Sequence, residues 1–402
     1  MLLSGGRINY MKRRFLSFGL FFAVLILPAQ RSGAESLHSP TWGFRIDLPE
    51  EFYYVDGDGR NSFAFACDAG ASFAIRMYAQ GAYPSVQGVA QDIKARLRSD
   101  GDIDYFEYNK KKAAIIKLAM TVSGEQLFGW GLCIALSENE TNSPFLTALA
   151  YGPDEGVELL GLYFSCLDSI IPTDSERRFP GPIATYAYPR DTMVQKTIAG
   201  TGSEAPVGTL DAEAAQATVD REFAVLRRYE KSPAWKEAWI RFYRAIFRDS
   251  YERLAGIAFA FERDWYNETQ GKGNAPEADN AWEFAQYALT WVQGFAYERD
   301  LLGSDFVNVV SAALEGRGDC DSRSMLWAIM LERNNIAATM MVSRDYSHAM
   351  GLVLIDSPVA GKAAFQFAGY NWIVAETTDR VDMGLIEARV SDPAFWLGIS
   401  FY

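Results

Sequence analysis

Cys320 ends a glycine-rich run and begins an apolar one: Gly316-Arg317-Gly318-Asp319-Cys320-Asp321-Ser322-Arg323-Ser324 is followed by Met325, Leu326, Ile329 and Met330 at helical spacing. The pattern predicts a turn that feeds directly into a helix whose first residue is the cysteine. Unpaired backbone N–H groups and the positive end of the helix dipole at that position favour thiolate, so the thiol is expected to be presented, with a pKa below its free value of about 8.5. A thiol nucleophile also needs an imidazole to take its proton and return it to a leaving amine. The chain has two histidines, and His38 belongs to a terminal stretch. That leaves His348, which opens the apolar run 349–355. A lone strand histidine is commonly a satisfied core group, but as the sole base available to a helix-terminal cysteine it predicts a Cys–His pair.

The elements around this pair fall into two styles. From 37 to 188, β-branched and aromatic runs at 42–48, 62–66, 71–78, 113–121, 127–136 and 144–151 alternate with Gly, Asn and Asp, and predict strands. The segments 85–98 and 156–170 instead carry helical spacing, which makes this an α+β, β-rich domain. Asp56-Gly57-Asp58-Gly59 resembles the start of a calcium loop, yet Arg60 and Cys67 stand where ligands would be required, so a hairpin turn is expected. Proline- and glycine-rich stretches at 179–189 and 200–208 predict an exposed linker over 189–210. From 211 to 267 the spacing predicts two or three amphipathic helices, and Asn280 is expected to cap another that runs to about 295. Beyond the Cys320 helix, expected to end near Arg333, strands are predicted at 337–343, 348–355, 363–368 and 372–377. A nucleophile helix followed by antiparallel strands is the arrangement a thiol hydrolase needs.

The first 34 residues predict a secretory leader rather than part of the fold: basic residues at Lys12, Arg13 and Arg14, an uncharged stretch over 15–27, and small residues at Ser32-Gly33-Ala34. The uncharged stretch is shorter than the roughly 20 residues a membrane span requires. An exported protein, periplasmic or secreted, follows, with the membrane engaged only transiently through the leader; an uncleaved anchor is the alternative. The leader carries five basic and no acidic residues, so its removal takes the formal net charge from −13 to −18 and disfavours nucleic acid as a partner. Cys67, Cys133 and Cys166 lie in the first half, where one disulfide or three buried thiols are equally expected; no Cys/His cluster points to a metal.

Three segments carry a family likeness. GDCDSRS at 318–324, SHAMGLVL at 347–354 and Trp372-Ile373-Val374-Ala375-Glu376-Thr377-Thr378 resemble the transglutaminase-like superfamily, in its bacterial cysteine-proteinase branch, over residues 280–382. The resemblance implies a papain-like, transglutaminase-like C-terminal domain of helices plus antiparallel sheet over 211–402, and a third catalytic group at Glu376. Family members usually carry Asp there; Glu supplies the same carboxylate with one more methylene of reach, to hold the imidazole tautomer and stabilise imidazolium. Asp356 and Asp379 are the rivals. The segment 291–300 resembles the helix-end motif that precedes the cysteine in this branch, which makes Gln293 the side-chain oxyanion donor beside the Cys320 N–H. The strand and helix order of 37–188 resembles the PsbP/Mog1-like fold, a binding architecture.

Two functions are therefore open. One is a Cys320–His348–Glu376 enzyme, a cysteine peptidase, amidase or acyltransferase, that forms a thioester on a protein or peptide substrate of the cell envelope and needs no cofactor. The other is a non-catalytic transglutaminase-like scaffold that grips an envelope partner.

Overall fold

The computed structural model describes residues 36–122, 124–153, 157–269, 277–299, 304–355 and 361–402. The expected leader and the rival carboxylate Asp356 lie outside the described residues. Ser32 to Tyr402 forms one compact unit of mixed α+β structure, β-rich in its N-terminal part and helical plus sheet in its C-terminal part. Among the described residues, no helix is long and apolar enough to cross a membrane.

A short ladder of β1 (Leu37–His38) with β2 (Arg45–Ile46) precedes a seven-stranded antiparallel sheet. Its strands are β3 (Tyr53–Asp56), β4 (Ser62–Ala66), β5 (Ser72–Tyr78), β6 (Ile103–Tyr108), β7 (Lys111–Val122), β8 (Glu125–Ala135) and β9 (Phe145–Gly152), with α1 (Val86–Leu97) between β5 and β6 and α2 (Val157–Asp168) after β9. The sheet order is β3-β4-β5-β9-β8-β7-β6. Strand side chains alternate between faces, and here both faces are covered. Ile115, Leu132 and Ala148 pack with Leu162 and Tyr163 of α2, whereas Ile116, Cys133 and Leu149 pack with Val89 and Ile93 of α1. Two-sided burial is why β7, β8 and β9 are nearly continuous apolar runs in sequence. The Asp56–Gly59 segment is the expected hairpin turn: β3 and β4 are antiparallel, and Asp58 Oδ1 accepts backbone N–H bonds from Arg60, Asn61 and Ser62.

The expected exposed connector is instead folded. After α3 (Pro182–Ala187), β10 (Met193–Thr197) and β11 (Glu204–Gly208) pair as a hairpin that buries Ile198, Ala205 and Val207. The alternating apolar residues of this segment matter more than its glycines, which only make the turn. The helices α4 (Asp211–Arg227), α5 (Trp235–Arg253), α6 (Ala255–Thr269), α7 (Glu277–Gln293) and α8 (Val309–Glu315) follow, with β12 (Ala296–Tyr297) after α7. Asn280 lies inside α7 and is not its cap. Next come β13 (Arg317–Gly318) and α9 (Cys320–Arg333), then β14 (Ala338–Ser343), β15 (His348–Val353), β16 (Ala364–Phe367), β17 (Tyr370–Ala375) and β18 (Leu397–Ile399). The last five form an antiparallel sheet in the order β16-β17-β15-β14-β18.

The two parts share a buried polar seam. Glu222 of α4 accepts from Arg241 of α5 at 2.7 Å and from Ser165 of α2 at 2.8 Å, and Arg221 reaches Asp168 at 2.6 Å. Arg248 donates to the carbonyls of Asp168, Ile170 and Phe179. Val225, Tyr229 and Ala238 of the helical part complete the apolar cluster under the larger sheet. All four cysteines are free thiols and all are buried, so no disulfide staples this chain.

Candidate active site

Gly316 ends α8 in the left-handed region (φ 66°), where a side chain would be strained, and turns the chain into β13. Asp319 then caps α9, accepting from the Ser322 backbone N–H at 2.8 Å and the Ser322 hydroxyl at 2.7 Å. Cys320 is therefore the first residue of the helix, as the sequence predicts. The helix is held on both sides. Trp327, fully buried, donates its indole N–H to the Ala285 carbonyl of α7 at 3.0 Å, and its ring fills the space beside Gly351 of β15, where any side chain would collide.

That packing sets Cys320 against the backbone of β15 and His348 of the same strand against Glu376. The Cys320 sulfur accepts from the backbone N–H of Ala349, the residue after His348. His348 Nε2 is 2.8 Å from Glu376 Oε2. Glu376 follows β17, whose Ala375 is opposite Gly351 of β15. Its other oxygen, Oε1, accepts from the Thr378 backbone N–H at 2.8 Å and hydroxyl at 2.6 Å, so both carboxylate oxygens are fixed. In the neutral ring, Nε2–H facing a carboxylate puts the lone pair on Nδ1. Burial alone would raise the Glu376 pKa; the hydrogen bond and charge of His348 and the Thr378 bonds outweigh it and leave the carboxyl below its ordinary value. Asp379 has no such contact with the imidazole, and the carboxylate facing His348 is Glu376.

Two expectations are corrected. Cys320 is not presented: it is 4% exposed. Burial, then the charges of Asp321 and Asp319, push its thiol above the ordinary range, while the Ala349 N–H and Arg299 pull it the other way. The helix terminus is outweighed by burial first, and then by the acidic groups at its own start. Asp321, which accepts from the Tyr243 hydroxyl at 2.8 Å, is itself pushed up to about 7, by burial first and then by Asp319. The second correction concerns Gln293. Its amide nitrogen donates to the Glu376 and Val381 carbonyls, both at 2.8 Å, and both partners are acceptors, so neither N–H is left for an oxyanion. Gln293 ties the end of α7 to the Glu376 segment instead.

Arg323, passed over in the sequence, does comparable work. It is 1% exposed, and its guanidinium donates to the carbonyls of Gly318 at 3.0 Å, Phe295 at 2.9 Å and Thr377 at 3.4 Å. One side chain thus joins the segment before Cys320, the segment after Gln293 and the residue after Glu376. Its signal in sequence was a charged residue on the buried face of an apolar helix. Above it, Tyr297 of β12 is exposed, pairs with Gly318 of β13 across a parallel ladder, and accepts from Arg299 at 3.2 Å. Tyr370, left without a role in the sequence, is 58% exposed at the start of β17. Among the described residues, no group of three or more His, Cys, Asp or Glu side chains is arranged to hold a metal ion.

No family model matches the chain, and no curated protein matches it in sequence. Among solved structures it is similar to LpqN, involved in cell envelope biogenesis of Mycobacterium tuberculosis (12% identity, 34% of this chain and 90% of that one, TM-score 0.26). It is also similar to a Bacteroides thetaiotaomicron protein (10% identity, 59% and 80%, TM-score 0.26). A third is the Ran-binding protein Mog1p of Saccharomyces cerevisiae (7% identity, 36% and 98%, TM-score 0.26). The transglutaminase-like likeness rests on the chain's own motifs.

Proposed function

We propose that the chain is an exported thiol enzyme acting on amide bonds, a cysteine peptidase, amidase or acyltransferase whose C-terminal part is a papain-like, transglutaminase-like domain. The observation that carries this reading is the 2.8 Å contact between His348 Nε2 and Glu376 Oε2 on the strand whose next residue, Ala349, donates to the Cys320 sulfur. In the first step the Cys320 sulfur bonds to the amide carbon, the carbonyl electron pair moves to oxygen, and the thiol proton passes to His348 Nδ1. Glu376 stabilises the imidazolium so formed. His348 then gives that proton to the amide nitrogen as the C–N bond breaks, which leaves a thioester. Water or a second amine bonds to the thioester carbon and gives its proton to His348; the carbon–sulfur bond then breaks, the acyl group leaves as an acid or a new amide, and His348 returns the proton to sulfur. With Gln293 committed elsewhere, the oxyanion faces the N-terminal N–H groups of α9. Because the buried thiol is held in its protonated form, proton transfer to His348 accompanies attack rather than preceding it.

Protein or peptide of the cell envelope is the substrate pool that an exported location supplies. The direct test is incubation with an activated ester such as p-nitrophenyl acetate and peptide mass mapping. The expected result is an acyl group on Cys320 and a burst of p-nitrophenolate in the wild type, with both lost in His348→Ala; an acyl-free Cys320 overturns the reading.

One observation favours a second reading, a scaffold that binds an envelope partner without turnover: the deep burial of the Cys320 sulfur. On that reading the ester leaves no adduct, and Cys320→Ser changes nothing but packing.

A further inference from the structure

A second feature, independent of the thiol site, lies in the seam between the two parts. A cavity of about 80 Å³ opens there, bordered by β2, the end of α2, α4, α5 and the last residues of the chain. Six arginines and four carboxylates line it, an excess of positive charge in a chain whose formal net charge is −13.

The carboxylates are already taken. Asp47 accepts from Arg244 at 2.9 Å, Asp168 from Arg221 at 2.6 Å, and Glu222 from both Arg221 and Arg241. Asp249 is bound on both oxygens by Arg253, which is not part of the lining. Two guanidiniums have no carboxylate among the described residues. Arg248 donates only to three backbone carbonyls and to the Tyr108 hydroxyl. Arg177 faces nothing but the Tyr402 ring, 5.4 Å from its centroid. A half-buried guanidinium without a counter-charge favours an anion that supplies one. The Arg177 guanidinium offers its fork of N–H donors, which suits a planar or tetrahedral oxyanion, and Arg248 adds the one Nη1 N–H that its four bonds leave.

We propose that this cavity is a binding site for a tetrahedral oxyanion, either free phosphate or sulfate or the terminal group of a phosphomonoester, held by Arg177 and Arg248 and coupling the two parts of the fold. That volume is several times the roughly 10–15 Å³ that one water needs on the same measure, which admits the oxyanion.

The experiment is thermal unfolding of the purified protein, titrated with inorganic phosphate, sulfate, glycerol phosphate or chloride at constant ionic strength. A ligand that binds only the folded state raises the midpoint progressively with its concentration. The expected result is a rise of several degrees with phosphate and none with chloride; a stronger response to glycerol phosphate identifies the ester as the natural source. Arg177→Ala, which removes no hydrogen bond, should keep the anion-free midpoint and weaken phosphate binding by roughly tenfold or more. Arg177→Lys should recover part of it. Equal shifts with chloride and phosphate, no shift at all, or phosphate binding unchanged in Arg177→Ala would each overturn the proposal.

Discussion

His348 Nε2 and Glu376 Oε2 stand 2.8 Å apart, although His348 opens β15 and Glu376 follows β17, 28 positions along the chain. The contact fixes which imidazole nitrogen can accept a proton, and it does so with a carboxylate whose second oxygen is already occupied by Thr378. Glu376→Gln keeps the size but presents an amide that no longer stabilises imidazolium. It should slow acylation of Cys320 by an activated ester by roughly a hundredfold or more, the range a general base supplies, with the unfolding midpoint little changed. Stopped-flow release of p-nitrophenolate measures this.

Asp321 makes the thiol harder to ionise, so removing its charge should help the thiolate. The sign is fixed: a neutral neighbour lowers the Cys320 pKa and raises the thiolate fraction at a given pH. The effect should be largest above about pH 7, where the Asp321 carboxyl is itself ionised. Asp321→Asn is therefore expected to alkylate faster than wild type at pH 8 and to approach wild type at pH 6. A rate profile over that interval checks it.

Arg323 holds three carbonyls that no other side chain could reach together. Arg323→Lys keeps the charge but cannot reproduce the fork, and leaves buried acceptors unsatisfied at about 1–3 kcal/mol each. The variant should unfold at lower urea, and its Cys320 should lose acylation rate even in the fraction that remains folded. Loss of stability with an unchanged rate per folded molecule would confine Arg323 to the fold.

Glu50 is 3% exposed, its Oε2 has no hydrogen-bond partner, and burial raises its pKa from 4.5 to about 7. The folded state therefore holds a proton that the unfolded chain releases, and this group's contribution to stability falls as pH rises between about 4.5 and 7. Glu50→Gln removes that dependence. Its unfolding midpoint relative to wild type should be higher at pH 8 than at pH 5, measured by thermal melts across the range.

Much of this site was legible before the fold. The Gly316–Ser324 run specified a turn, a cap and a helix start because local chemistry decides all three. The strand that His348 opens and the strand that leads into Glu376 are equally plain in their apolar runs. What escaped the sequence depends on contacts distant in the chain. Gln293 looked like a free donor on a helix end, and only the packing of β17 shows both its N–H groups spent on carbonyls. Cys320 reads as presented in the sequence because the helix terminus is weighed there without the burial and the acidic neighbours Asp321 and Asp319 that the fold sets against it. The hairpin at 193–208 was mistaken for a connector because its turn residues are stronger local signals than the few apolar side chains it buries in the helical core.

The most direct test of the Cys320–His348 pair is the second-order rate of iodoacetamide alkylation at each cysteine, mapped by mass spectrometry at about pH 7.5, in wild type and His348→Ala. His348→Ala is expected to slow Cys320 roughly tenfold or more while leaving Cys67, Cys133 and Cys166 unchanged. Cys320 labelling at the same rate with and without His348 would contradict it.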